Sequence, residues 1–172
     1  MKSLLAAAAL TLGVAAPALA QTAAEPMRIE MRGADGASHG AVTLTQTPNG
    51  VLLDGDLMGL EDGVYGFHFH QTGVCEGEFT SAGGHHNPTN RSHGLEVEGG
   101  PHAGDMPNVY VVDGKARFQQ FNPMVRFTGG DAALNDADGT ALMVHTQADD
   151  HTSQPTGDAG GRMACGVVFE RG

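Results

Sequence analysis

The sequence predicts an all-β protein, a sandwich or barrel built from eight short strands. Three observations carry that prediction. Glycine supplies 26 of 172 residues and charged side chains only 17%, a composition that opposes helix and favours turns. Beyond residue 20 no stretch repeats apolar residues at i, i+3, i+4 and i+7 for more than two turns. Short, partly alternating segments are instead separated by turn signals such as Asp35-Gly36, Pro48-Asn49-Gly50 and Glu61-Asp62-Gly63.

Residues 1–20 come first and read differently. They hold Lys2, an apolar run from Leu4 to Ala16, helix-breaking Pro17 and the small-x-small triplet Ala18-Leu19-Ala20, the pattern of a secretory signal peptide cleaved after Ala20. The run is too short to cross ~30 Å of hydrocarbon comfortably, and no other segment is a candidate span. Residues 21–172 are therefore expected as one mature domain. Strands are expected at 27–31, 41–45, 51–57 and 64–70. Residues 71–107 have no sustained apolar period and read as a long loop whose organiser cannot be apolar packing. Strands resume at 109–112 and 115–121 around a hairpin turn at Asp113-Gly114, then at 140–146 and 164–170.

Charge and cysteine count narrow the function. Nine Lys and Arg against 20 Asp and Glu give a formal charge of −11, and loss of Lys2 with the signal peptide makes it −12. No basic face is available for phosphates or anionic lipid, so neither nucleic acid nor, after cleavage, a membrane is an expected partner. Two cysteines exclude a multi-cysteine scaffold and a four-cysteine zinc ribbon. Export would place Cys75 and Cys165 in an oxidising compartment, where such a pair is expected as a disulfide. Closing a loop 90 residues long stabilises a fold by about 4 to 5 kcal/mol in the chain-entropy model, before native-state strain is subtracted.

Nine histidines stand out in this composition. His68 and His70 flank Phe69 on an expected strand, so the period of two puts both imidazoles on one face and Phe69 on the other. An H-x-H pair alone is weak, being shared by cupins, carbonic anhydrases and metallohydrolases. Within the long loop, His85, His93, His102 and Asp105 follow at gaps of eight, nine and three. Three imidazoles and a carboxylate suit a closed tetrahedral zinc site, and such a site would organise the loop. His145 ends an apolar strand segment and joins His68 and His70 as a further candidate ligand.

The motifs Gly66-Phe67-His68-Phe69-His70, Ser81-Ala82-Gly83-Gly84-His85, His102-Ala103-Gly104-Asp105, Met143-Val144-His145 and Gly161-Arg162-Met163-Ala164-Cys165-Gly166 together resemble the copper,zinc superoxide dismutase family, over about residues 63–168. The resemblance implies an eight-stranded antiparallel Greek-key β-barrel. It implies copper on His68, His70, His85 and His145, and zinc on His85, His93, His102 and Asp105, with His85 shared as an imidazolate. It also implies that Asp149 links His68 with His93, that Arg162 orients an anion beside the copper, and that Cys75 pairs with Cys165. Superoxide would be converted to oxygen and hydrogen peroxide by alternate reduction and oxidation of the copper, with His85 as proton handle. Gln154 before Pro155, with the signal peptide, resembles the exported bacterial branch and so implies a periplasmic protein. Monomer and homodimer both stay open. Residues 146–161 contain no Lys or Arg, so little long-range steering is expected beyond Arg162 and the metals.

Two other readings compete. A periplasmic copper and zinc buffer or chaperone would use the same ligands without turnover, but has no need of an anion-orienting arginine. A cupin-type oxygenase or zinc hydrolase built on His68 and His70 needs a Glu ligand or an H-x-H-x-D run. Gln71 and Thr72 follow instead, and Glu76 as a ligand leaves His85, His93, His102 and Asp105 unexplained. His39, His86 and His151 match no ligand of the family and are expected at the surface.

Overall fold

A computed structural model describes residues 25–172, so the expected signal peptide lies outside the described residues. Nine strands run through it: β1 (Met27–Arg32), β2 (Ser38–Thr47), β3 (Gly50–Met58), β4 (Gly63–Tyr65), β5 (Phe67–His70), β6 (Val109–Val111), β7 (Lys115–Asn122), β8 (Thr140–His145) and β9 (Arg162–Phe169). All eight expected segments are present. The one at 64–70 is interrupted at Gly66, whose N–H donates to the Gln147 carbonyl at 2.7 Å and whose carbonyl accepts from His145 N–H at 2.9 Å. That break separates β4 from β5 and stitches the start of the loop after β8 into the wall.

Seven strands pair in the order β5-β8-β9-β1-β2-β3-β7, and β4 pairs with β6. All these pairs are antiparallel. Because β4 leads directly into β5 and β6 leads into β7, the small sheet closes the large one into an eight-staved barrel. The β3–β4 and β7–β8 connections each pass over neighbouring staves, which is the Greek-key pattern. Between β6 and β7, Asp113 and Gly114 take φ of 52° and 69°, and Val112 and Lys115 exchange hydrogen bonds of 2.9 and 3.1 Å. Positive φ at both central residues makes this the twist-matched two-residue hairpin that the Asp-Gly dipeptide favours.

Alternation fills the barrel. On β3, Leu53 and Leu57 are buried while Asp54 and Asp56 face water. They join Met31, Val42, Leu44, Phe67, Phe69, Leu142 and Val144 in one core. Residues between β5 and β6 form one 3-10 turn, Thr80–Ala82, and otherwise run as loop. This loop is bound back to β5 at several points: Gln71 N–H to Gly84 O at 2.9 Å, His86 N–H to Phe69 O at 2.8 Å and Phe69 N–H to Gly104 O at 2.9 Å. The Cys75–Cys165 disulfide ties it to β9. No helix among the described residues is long and apolar enough to cross a membrane.

Candidate metal centre

The outer face of β5 and β8 is the floor of the site. Phe67 and Phe69 enter the core, and the strand period then turns His68 and His70 outward, paired in register with Met143 and Ala141 of β8. His145 shares that face. All three histidines are nevertheless at most 3% exposed, because the long loop and residues 146–161 cover them. Isolated bridges bring His85 beside His70 and Asp105 beside His68, so β5 sets the position of both loop residues. Two groups of potential ligands result, His68, His70, His85 and His145, and His85, His93, His102 and Asp105. In each group four donor atoms lie within 4.8 Å of one another, and His85 belongs to both.

Hydrogen bonding fixes which ring nitrogens face inward. His70 Nδ1 donates to Gly83 O at 3.0 Å and His145 Nδ1 to Gly161 O at 3.1 Å. A carbonyl only accepts, so both protons sit on Nδ1 and both Nε2 atoms are bare. Yet those two Nε2 atoms face each other at 3.2 Å. Opposed lone pairs repel unless a cation lies between them. The Asp149 carboxylate similarly accepts from His68 Nε2 at 2.7 Å and from His93 Nε2 at 3.0 Å, leaving Nδ1 of each ring bare. Buried atoms without a hydrogen-bond partner include His68 Nδ1, His85 Nε2, His93 Nδ1 and His102 Nδ1. His93 Nδ1 and His102 Nδ1 do approach Asp105, at 3.0 and 3.3 Å, but too obliquely for hydrogen bonds, as ligands round a common centre would. His85 Nδ1 lies 2.8 Å from Asp105 Oδ1. The donor sets thus fit two ions: four imidazole nitrogens suit copper, and three imidazoles with a carboxylate suit tetrahedral zinc.

Burial sets the charge states. It lowers the pKa of His68 and, more strongly, of His70, and it brings His85 to about 4 and His145 to about 3. Neutral imidazole is the form that coordinates a metal. At His93 burial works in the same direction, but the Asp105 and Asp149 carboxylates prevail and raise it to about 9, so a metal ion binding there would displace the proton on Nδ1. Burial opposes ionisation of Asp105 too, but its contacts with His102, His85 and His93 and the Gly94 N–H hold it far below the usual carboxylate range. Asp149 is held low against burial in the same way, by His68 and His93. The second group therefore concentrates negative charge where a cation would sit.

Arg162 stands beside the first group, its guanidinium donating to the carbonyls of Phe79 and Gly83. Phe79 packs with Cys75, Cys165 and Met143, so the disulfide-tied loop positions the arginine. Asn108 was not apparent from the sequence. Its side-chain amide donates to Asp149 O and accepts from Asp149 N–H, both at 2.8 Å, and so locks the backbone under the bridging carboxylate. An Asn three residues after Asp105, just ahead of an expected strand, was the only available signal.

Of the three unassigned histidines expected at the surface, His86 needs a correction, while His39 and His151 are partly exposed. His86 is buried, 2% exposed, not at the surface. Its backbone is pinned between Phe69 and Gly104, and its ring lies by Ala132 and Asp136, where burial lowers its pKa. His151 is half-buried, with its N–H on Asp149 Oδ1 at 2.6 Å. His39 is partly exposed and its Nδ1 donates to Met58 O at 3.2 Å.

Residues 38–168 match the family described as copper/zinc superoxide dismutase. The chain is 44% identical over 143 residues to a superoxide dismutase [Cu-Zn] of Caulobacter vibrioides, covering 80% of this chain and 82% of that one. Among solved structures it resembles Cu/Zn superoxide dismutase from Brucella abortus, with TM-score 0.69, 30% identity and coverage of 84% and 99%. It also resembles a SOD-like protein from Bacillus subtilis, with TM-score 0.79, 31% identity and coverage of 86% and 99%.

Proposed function

The chain belongs to the copper/zinc superoxide dismutase family, an oxidoreductase family with copper and zinc as cofactors, and from that premise we propose how its residues divide the work. The first group, His68 through Nδ1 and His70, His85 and His145 through Nε2, would hold copper. The second group, the Nδ1 atoms of His85, His93 and His102 with a carboxylate oxygen of Asp105, would hold zinc. The observation that carries this division is the set of bare, inward ring nitrogens, above all the opposed Nε2 atoms of His70 and His145. Bound copper supplies one-electron exchange with superoxide, which leaves as oxygen in one half-reaction and as hydrogen peroxide in the other, while zinc supplies a fixed charge.

The protein's own part is binding and proton transfer. Arg162, pinned by two carbonyls, presents a fixed positive charge to the incoming anion. His85 Nε2 is buried without a protein partner, so whenever it is not serving as a ligand its lone pair is free to take a proton and pass it to the departing peroxide, the second proton coming from water, while Nδ1 stays on the Asp105 side. Asp149 keeps the protons of His68 and His93 on Nε2, which leaves their Nδ1 atoms free for metal. With no Lys or Arg in residues 146–161, steering beyond Arg162 is weak, and a rate that falls steeply with added salt contradicts that point. Residues 1–20 and the Cys75–Cys165 disulfide support export to the periplasm. Tyr110 and Val112, both well exposed beside each other on the β6 hairpin, make a homodimer the assembly to test by sedimentation.

Stopped-flow decay of superoxide, with mature protein carrying one copper and one zinc against zinc-only protein, tests the turnover. A copper-dependent second-order constant approaching ~10⁸ to 10⁹ M⁻¹s⁻¹ supports it. Tight copper binding with little acceleration favours the buffer reading instead.

A further inference from the structure

The zinc ligands are not anchored alike. His85 lies between Gly84 and His86, which are both hydrogen-bonded to the β5 segment, and the Asp105 backbone bridges His68. His102 and Asp105 also hold each other, through Asp105 N–H to His102 O at 3.2 Å and His102 N–H to Asp105 Oδ2 at 2.9 Å. The backbone of His93 has no backbone partner among the described residues. Its neighbours bond only within the loops, Ser92 N–H to Gly99 O and Val97 N–H to Gly94 O, each at 3.4 Å, and Gly94 N–H to Asp105 Oδ2 at 3.0 Å, none of them to β5. The His93 N–H donates to Gln154 Oε1 at 2.9 Å, and its carbonyl accepts from Gln154 Nε2 at 2.8 Å. One side-chain amide thus makes the two bonds that a neighbouring strand makes for other residues.

We propose that Gln154 is a positioning residue for the zinc site, a strut from the loop after β8 that holds His93 at its metal-binding position. Its base is stiff. Asp150 Oδ1 accepts from the N–H of Thr152 and of Ser153, each at 2.8 Å, and Asp150 N–H and Gly157 O close the turn at 2.8 Å. Gln154 Nε2 also donates to Thr152 O at 3.0 Å, which fixes the amide on its own turn. The His93 ring must satisfy two demands at once, Nε2 on Asp149 and Nδ1 toward the common centre with Asp105. Ring direction follows backbone position, so loss of both strut bonds removes every hydrogen bond that the His93 backbone itself makes among the described residues. Order in residues 150–157 and zinc binding are then coupled: zinc stabilises the strut's loop, and the strut raises zinc affinity.

This inference rests on His93 being a zinc ligand, and the test separates the two ideas. Zinc affinity is measured by chelator competition on the mature protein, its Gln154→Ala and Gln154→Met variants, and a His93→Ala reference, alongside melting of each with and without zinc. Removing a partner that orients a ligand weakens metal binding by about 10- to 100-fold. Both Gln154 variants are expected to show that loss, with the melting temperature falling mainly in the zinc-loaded form. Methionine keeps the length and bulk of glutamine without its amide, so wild-type affinity in Gln154→Met overturns the proposal in favour of packing. Equal destabilisation with and without zinc, at unchanged affinity, also overturns it. Undiminished zinc binding by His93→Ala overturns the ligand assignment itself.

Discussion

Asp149→Asn tests the logic of the site with the least change of shape. The carboxylate accepts from His68 Nε2 at 2.7 Å and His93 Nε2 at 3.0 Å, one oxygen for each ring. Asparagine offers one acceptor and one NH₂, so its NH₂ must face one of the two N–H groups. That ring relieves the clash only by moving its proton to Nδ1, the atom facing the metal, or by turning away. Asn108 holds the backbone at 149 through main-chain atoms, so the substituted side chain stays in place. A hydrogen bond to a charged group contributes about 1.5–3 kcal/mol, and loss of one orienting partner weakens metal binding by about 10- to 100-fold. Both rings share the one carboxylate, so zinc and copper affinities are both expected to fall within that range. The assay is titration of metal-free protein against a chromophoric chelator, zinc first and copper second, with circular dichroism to verify the barrel. A folded variant that retains both affinities within about twofold would refute the tautomer argument.

Three further outcomes are expected. His145→Ala removes a ligand of the four-histidine group only, so elemental analysis after dialysis should find copper lost and zinc largely retained; equal loss of both contradicts the division of ligands. Cys75→Ser with Cys165→Ser opens a loop spanning 90 residues. The chain-entropy cost of about 4 to 5 kcal/mol corresponds to a fall in Tm of up to about 20 °C, and an unchanged Tm by calorimetry contradicts it. Gly157 has φ of +67°, and a Cβ there would overlap the Asp149 carboxylate and come within 2.5 Å of His93 Nε2. Gly157→Ala should therefore weaken zinc retention, measured by chelator competition, and unaltered retention would show that the loop can step aside.

What the sequence disclosed followed from local rules. The alternation at Phe67-His68-Phe69-His70 needs only the strand period, and the hairpin at Asp113-Gly114 needs only the φ preferences of two residues. Spacing in the histidines pointed to metal because no apolar pattern explained residues 71–107. The break at Gly66 was hidden, since it exists only because residues 145 and 147, far along the chain, bond there. His86 looked like a surface residue because burial of a loop side chain depends on what folds over it, here the Ala132–Asp136 region. The amide struts Asn108 and Gln154 were hidden for the same reason. Their partners are backbone atoms 41 and 61 residues distant, and an amide in a loop carries no mark of its partner.

The most direct test of the central claim is anomalous diffraction from crystals of the copper- and zinc-loaded protein, recorded at both metal absorption edges. Two peaks are expected flanking the His85 ring: copper on the Nε2 side among His68, His70 and His145, and zinc on the Nδ1 side among His93, His102 and Asp105. A single peak, or zinc ordered in the four-histidine group with no copper beside it, would contradict that claim.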